Sequence, residues 1–280
     1  MIRLEGATAV VRGLFPPEYV DLYGLVTALG DPAVATLVLA LSYWLWRREA
    51  AATVVGYAFV AFALTLLLKY GLALPRPATA DQLLHPEGYG FPSGHAISAT
   101  VVYGGLAVEV GWHRDRLRAL GVSVLVAAVG LSRVALGVHY LGDVLVGFAV
   151  GGFVVWTGHT YWRDRPEVGF ALAGLVAVPA IFVSGMHADA MGVLGYALGG
   201  IVGARAIGTS LAASRIEAGV LGAVGVAFVV GMQALTDVAD ATLVTGALAD
   251  AILVAGVLLL PALFARVWDD ERAQPAVFGQ

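Results

Sequence analysis

Side chains able to do chemistry are scarce in this chain, and they gather in three short stretches. The richest is Ser132-Arg133-Val134-Ala135-Leu136-Gly137-Val138-His139-Tyr140-Leu141-Gly142-Asp143, which sets an arginine, a histidine and an aspartate among apolar residues. If the chain is helical from His139 on, residues four apart share a face, and the Asp143 carboxylate reaches back to one imidazole nitrogen. That contact would fix the tautomer and leave the other nitrogen free to attack. Arg133 adds a planar fork of donors shaped for phosphate oxygens. A buried structural His–Asp pair would show the same spacing, so this stretch alone leaves both readings open.

The other two stretches supply more cations and a helix start. Lys69 and Arg76 are seven residues apart, close to two helical turns, and point the same way if the helix persists to Pro75 and Pro77. Alone, they read better as cations anchoring a helix end at the membrane surface. Lys69 is nonetheless the chain's one lysine among 16 basic residues, which asks for a chemical reason. In Gly90-Phe91-Pro92-Ser93-Gly94-His95, Ser93 is placed to cap a helix and Gly94 lets backbone approach a ligand. The free N–H groups of that helix start form an anion site beside His95. Ala96 stands where a capping box needs Glu or Gln, so a simple cap is expected.

These residues must be positioned by membrane helices. Of 280 residues, 59% are hydrophobic and 13% charged, with a mean hydropathy of +0.84. A soluble domain carries about 25% charged residues, so the composition is that of an integral membrane protein. There is no cysteine, which excludes disulfides and thiolate metal sites. The net charge of -4 is thinly spread, and no nucleic-acid partner is expected. The opening residues lack the pattern of a signal peptide, so insertion is assigned to internal helices.

Apolar runs recur at about 25–46, 51–74, 95–112, 118–138, 139–160, 169–187, 189–208, 217–236 and 241–265. The expected fold is therefore all-α, a polytopic transmembrane helix bundle of about nine spans. Arg47 and Arg48, Arg114 to Arg118, Arg163 and Arg165, Arg205 and Arg215, and Arg266 and Arg272 follow alternate runs. The positive-inside rule makes those ends cytoplasmic and puts all three chemical stretches on the outer side. Three clusters on one predicted face argue against three independent accidents.

Taken together, the motifs resemble those of the type 2 phosphatidic acid phosphatase superfamily, KX6RP, PSGH and SRX5HX3D. They read here as Lys69 through Arg76-Pro77, Pro92-Ser93-Gly94-His95, and Ser132-Arg133 through His139 to Asp143, in order and with each spacing kept. The resemblance implies a lipid phosphatase that needs no metal or other cofactor and works through a phosphohistidine. It implies His139 as nucleophile, Asp143 as its orienting partner and His95 as general acid. Lys69, Arg76, Ser93, Gly94 and Arg133 would hold the phosphate. Such a set fits phosphoryl transfer, which is chiefly positioning and charge stabilisation.

The expected organisation is an interfacial segment (1–24), a phosphatase core (25–160) and additional transmembrane helices with a short cytoplasmic tail (161–280). Expected partners are a lipid phosphate or diphosphate and the bilayer, with the oligomeric state open. The substrate types are phosphatidic acid, phosphatidylglycerol phosphate and polyprenyl diphosphate. Alternative readings are a phosphotransferase with an alcohol acceptor, a haloperoxidase sharing the signature, and a non-catalytic lipid transporter or scaffold. His85 shares the outward loop and could touch a headgroup, whereas His113, His159 and His187 are assigned ordinary interfacial places. Gly147-x-x-x-Gly151 and Gly195-x-x-x-Gly199 carry little weight among 36 glycines.

Overall fold

The structure, a computed structural model, describes residues 3–78, 82–84, 86–207, 215–239 and 242–273, and the regular elements among them are all helical. His85 lies outside the described residues. Two short helices, α1 (Glu5–Arg12) and α2 (Val20–Ala28), are followed by α3 (Pro32–Leu45) and α4 (Arg48–Leu72). Next comes α5 (Gly94–Ala99), which continues through a π-helical turn, Thr100–Gly104, into α6 (Gly105–Glu109). The remaining helices are α7 (Arg116–Ala135), α8 (Leu141–Tyr161), α9 (Pro166–Val183), α10 (Ala188–Gly203), α11 (Arg215–Ala239) and α12 (Leu243–Ala273).

Local chemistry sets the boundaries. Asp115 caps α7 by accepting from the Leu117 and Arg118 amides at 3.0 and 3.2 Å. Pro32 and Pro166 start α3 and α9, where a missing N–H costs nothing. After Leu72, Ala73 turns left-handed at φ 49° and closes α4 on the Lys69 carbonyl, so Arg76 stands in the following loop rather than two turns further along a helix.

Each of the nine apolar runs folds as helix, but the expected nine spans are not reached by length. Among the described residues six helices are long and apolar enough to cross a membrane, and α2 with α3 would make a seventh, bent by 43° at Leu29-Gly30-Asp31. The two remaining runs, which form α10 and α5–α6, are shorter. The α10 helix has 16 residues, and at about 1.5 Å per residue it covers roughly 24 Å of an apolar core about 30 Å thick. The α5–α6 run is equally short. Both are wrapped by longer helices, α10 by α4, α9 and α12, and α5 by α4, α7 and α8. Protein therefore replaces lipid along part of their surface, while Leu198, Ile201 and Val202 of α10 stay exposed.

The two glycine spacings matter more than their frequency suggests. A Cβ on Gly147 would lie 2.8 Å from the Ser93 carbonyl oxygen, and one on Gly151 would lie 2.7 Å from Thr100 Cβ. Helix α8 thus rests directly on the helix that begins with Ser93 and Gly94. On the other flank, a Cβ on Gly195 or Gly199 would run into the carbonyl oxygens of Ala247 or Ala251, so α10 and α12 touch backbone to backbone. Tyr43 Oη and Trp44 Nε1 donate to the Leu258 and Val257 carbonyls at 3.0 and 2.9 Å, tying α12 to α3.

At the end of the bundle remote from the three motifs, buried Glu109 accepts from Tyr57 Oη and faces His159 Nδ1, each at 2.9 Å. Arg163 lies 3.6 Å away. His159 is therefore part of a structural polar cluster. His187 stands at the motif end, its ring 5.2 Å from that of Tyr70.

Replacing Gly195 by leucine should force α10 and α12 apart and destabilise the protein by about 1–3 kcal/mol, the usual range for overpacking. Gly219→Leu, on a helix face with nothing within 4 Å, is the control and should leave thermal unfolding in detergent nearly unchanged.

Candidate active site

Three of the predicted stretches meet at one end of the bundle. Lys69 lies on the last turn of α4, Arg76 in the loop beyond it, Ser93 to His95 at the start of α5, Arg133 near the end of α7, and His139 and Asp143 around the start of α8. Backbone bonds lock these segments in register. The Ser93 amide donates to the Asp143 carbonyl at 3.0 Å, and a Cβ on Gly94 would lie 4.0 Å from Lys69 Cε. The PSGH turn therefore sits between the lysine of α4 and the helix carrying the His–Asp pair.

His139 precedes α8 instead of lying within it, because the helix begins at Leu141. The four-residue reach survives: Nδ1 is 3.4 Å from Asp143 Oδ2, an ion-pair distance too long for a strong hydrogen bond. The other ring nitrogen, Nε2, is 3.2 Å from Arg76 Nη1. As arginine only donates, Nε2 is the acceptor and carries a lone pair, which puts the imidazole proton on Nδ1, toward Asp143.

The phosphate-binding candidates are largely immobilised. Arg76 donates through Nη1 to the Val138 carbonyl at 3.2 Å and through Nη2 to the Glu87 carbonyl at 3.1 Å. Lys69 Nζ donates to the Tyr89 carbonyl at 3.1 Å. Two groups stand apart from this pattern. Ser93 Oγ and Arg133 Nε are buried with no hydrogen-bond partner among the described residues. Ser93 occupies the N-cap position but its hydroxyl makes no cap bond, so the expected simple cap is absent. A buried unsatisfied polar group costs about 1–3 kcal/mol. Phosphate oxygens placed here would accept from both groups, and from the free amides of α5.

Three residues of the site were not anticipated. Arg3 makes a two-point ion pair with Asp143, Nε to Oδ1 at 2.9 Å and Nη2 to Oδ2 at 3.0 Å, with its guanidinium 4.3 Å from the centre of the Tyr140 ring. Asp31 Oδ1 lies 2.7 Å from His95 Nε2. Thr27 Oγ1 accepts from Arg133 Nη1 at 2.8 Å. An acidic residue breaking an apolar run was the available signal for Asp31. Arg3 and Thr27 carry no local signal, because only the tertiary fold brings them within reach.

Comparison with known proteins points the same way. A family model described as the PAP2 superfamily matches residues 50–167. The decaprenylphosphoryl-5-phosphoribose phosphatase of Mycobacterium tuberculosis is 39% identical over 163 residues, 55% of this chain and 80% of that protein. Phosphatidylglycerophosphatase B of Bacillus subtilis is 36% identical over 94 residues, 31% of this chain and 46% of that protein. No solved structure matches.

The protonation of His139 yields a test. Burial pushes its imidazole down to about 3; the contact with the Asp143 carboxylate opposes this, and the charges of Arg133, Arg76 and Lys69 add to it. A lowered value keeps the ring neutral across the range in which an ordinary histidine, near 6.5, would gain its proton. If His139 is the essential base, kcat/KM should show no acid-side loss centred near 6.5, once the substrate's own ionisation near pH 6 is divided out. A pH profile of the detergent-solubilised protein checks this.

Proposed function

This chain belongs to the PAP2 superfamily, and from that premise we propose a membrane lipid phosphatase that acts through a phosphohistidine without a metal. The single observation that carries the proposal is the placement of His139. Its Nδ1 faces a buried carboxylate and its lone-pair nitrogen faces Arg76, beside Ser93 Oγ and Arg133 Nε.

In this reading the His139 Nε2 lone pair attacks phosphorus. As the new N–P bond forms, the bond from phosphorus to the leaving oxygen breaks, and His95 gives that oxygen a proton. Water then attacks the phosphohistidine, returning its proton to His95 and releasing inorganic phosphate. Lys69, Arg76, Ser93, Gly94 and Arg133 hold the equatorial oxygens, where charge accumulates. The donor set suits metal-free chemistry, because cations already surround the phosphate position. Among the described residues, no group of three or more His, Cys, Asp or Glu side chains is arranged to hold a metal ion.

The substrate is proposed to be a lipid phosphate or diphosphate of the phosphatidic acid, phosphatidylglycerol phosphate or polyprenyl type. Two such headgroups are named in its relatives, a phosphorylated polyprenyl pentose and phosphatidylglycerol phosphate. Its tail stays in the bilayer while its head enters at the helix ends. We place that end outside the cytoplasm, since Arg47, Arg48, Arg114, Arg116, Arg118, Arg163 and Arg165 all sit at or near the opposite helix ends. The core of residues 25–160 would carry the chemistry, and the helices beyond it would buttress that core through α3 and α4.

Purified protein given a panel of lipid phosphates should release phosphate with chelator present. His139→Ala should lower the rate by roughly 10³-fold or more. Unchanged release by the variant would remove the nucleophile, and loss with chelator would remove metal independence. Because the chain has no cysteine, a single Glu87→Cys can report the site's side of the membrane. An impermeant maleimide should label it from outside intact cells.

A further inference from the structure

We propose that Asp31, in the elbow between α2 and α3, is the positioning residue for the general acid His95 and determines which ring nitrogen delivers the proton. The inference rests on the phosphatase reading above, in which His95 serves the leaving oxygen. Its basis is the 2.7 Å approach of Asp31 Oδ1 to His95 Nε2, closer than the 3.4 Å between the nucleophile and Asp143.

With Nε2 committed to a carboxylate, the proton for the leaving oxygen departs from Nδ1. The two histidines therefore work by opposite edges. His139 keeps Nδ1 toward Asp143 and reacts through Nε2, whereas His95 keeps Nε2 toward Asp31 and reacts through Nδ1. When the P–O bond breaks, the leaving oxygen takes the Nδ1 proton, and His95 is left neutral, keeping its Nε2 proton in the hydrogen bond to Asp31. Water attacking the phosphohistidine then restores the Nδ1 proton, and the P–N electron pair returns to His139.

The elbow is shaped for this task. A Cβ on Gly30 would lie 3.1 Å from His95 Cβ and 2.8 Å from Val129 Cγ1, so the chain passes directly against the acid. Three residues earlier, Thr27 receives Arg133 Nη1, and Tyr103 Oη donates to the Leu29 carbonyl at 2.7 Å, fixing the elbow on the π-helical turn. One short segment thus holds both the general acid and a phosphate-binding cation. It lies before residue 50, where the family match begins.

The charged groups acting on His95 are Asp31 from the elbow, Arg133 from α7 and Lys69 from α4. Both cations oppose an imidazolium, and Asp31 alone among the three favours it. Removing the carboxylate should therefore make His95 lose its proton at lower pH.

The test compares full-length wild type and Asp31→Asn on two substrates. One is a lipid phosphate, whose alkoxide must be protonated to leave, and the other is 4-nitrophenyl phosphate, whose phenolate leaves unaided. The expected result is a kcat on the lipid phosphate lower by about 10²-fold, with the alkaline limb at lower pH and KM little changed. The first-turnover release of 4-nitrophenolate, which precedes the water step and needs no proton from His95, should stay within a few-fold, the first-turnover loss on the lipid should match its kcat loss, and Asp31→Glu should recover part of the lipid activity. Equal losses on both substrates would show a merely structural role and overturn the proposal, as would an unchanged lipid rate. Wild type inactive on both substrates would overturn the phosphatase reading itself, and this proposal with it.

Discussion

Asp143 is a carboxylate with no solvent exposure at the membrane end of a helix bundle, and its burial organises everything around it. Burying a charge is tolerated only with partners, and here they come from three directions. Arg3 grips both oxygens, the Tyr140 amide donates to Oδ2 at 3.0 Å, and His139 approaches the same oxygen. The position within α8 helps as well, since a carboxylate in the first turn lies at the positive end of the helix dipole. Through its own carbonyl, Asp143 receives the Ser93 amide. A single residue therefore faces the proposed nucleophile, His139, and registers the turn that begins α5.

That registration needs helices closer together than side chains normally permit. Within a bilayer, lipid tails solvate apolar side chains as well as a neighbouring helix does, so association depends on close packing and polar contacts. Gly147 and Gly151 let α8 settle onto Ser93, Ala96 and Thr100, bringing His139, just before α8, to the end of the bundle where α5 carries His95. On the opposite flank, Gly195 and Gly199 bring α10 onto α12 by the same device. The short α10 then fills the space beside α4 and α9. Lys69 sits on α4, so the packing of the C-terminal helices bears on where one phosphate cation points.

The membrane class, the helical runs and the eight motif residues were legible because each depends on composition or local spacing. Lys69, Arg76, Ser93, Gly94, His95, Arg133, His139 and Asp143 do gather at one end of the bundle. Less legible was anything set by distance along the chain. Arg3 and Asp143 are 140 residues apart, and Thr27 and Arg133 are 106 apart, so no local pattern links them. Asp31 was visible only as a flaw in an apolar run. The count of nine spans is not confirmed, because apolarity marks a helix packed against other helices as readily as one long enough to cross a bilayer. Glycine spacings suffered the reverse problem: a frequent residue hides the few positions where it is required.

The charges of the assembled site now explain why it suits a phosphate. Arg3, Lys69, Arg76 and Arg133 bring four positive charges, while Asp31 and Asp143 bring two negative ones, and His139 is held neutral. With His95 uncharged, and leaving aside Asp189, whose charge also reaches Lys69, two positive charges remain, close to the -1.5 to -2 of a phosphate monoester near neutral pH. They are not spread evenly. Arg3 is neutralised by Asp143 behind the nucleophile, and Asp31 stands behind His95, so the surplus belongs to Lys69, Arg76 and Arg133, the cations assigned to the phosphate. Both carboxylates lie on the far sides of the histidines from that position, where they can tune proton affinity without repelling the substrate. The proposed phosphate dianion would balance that surplus.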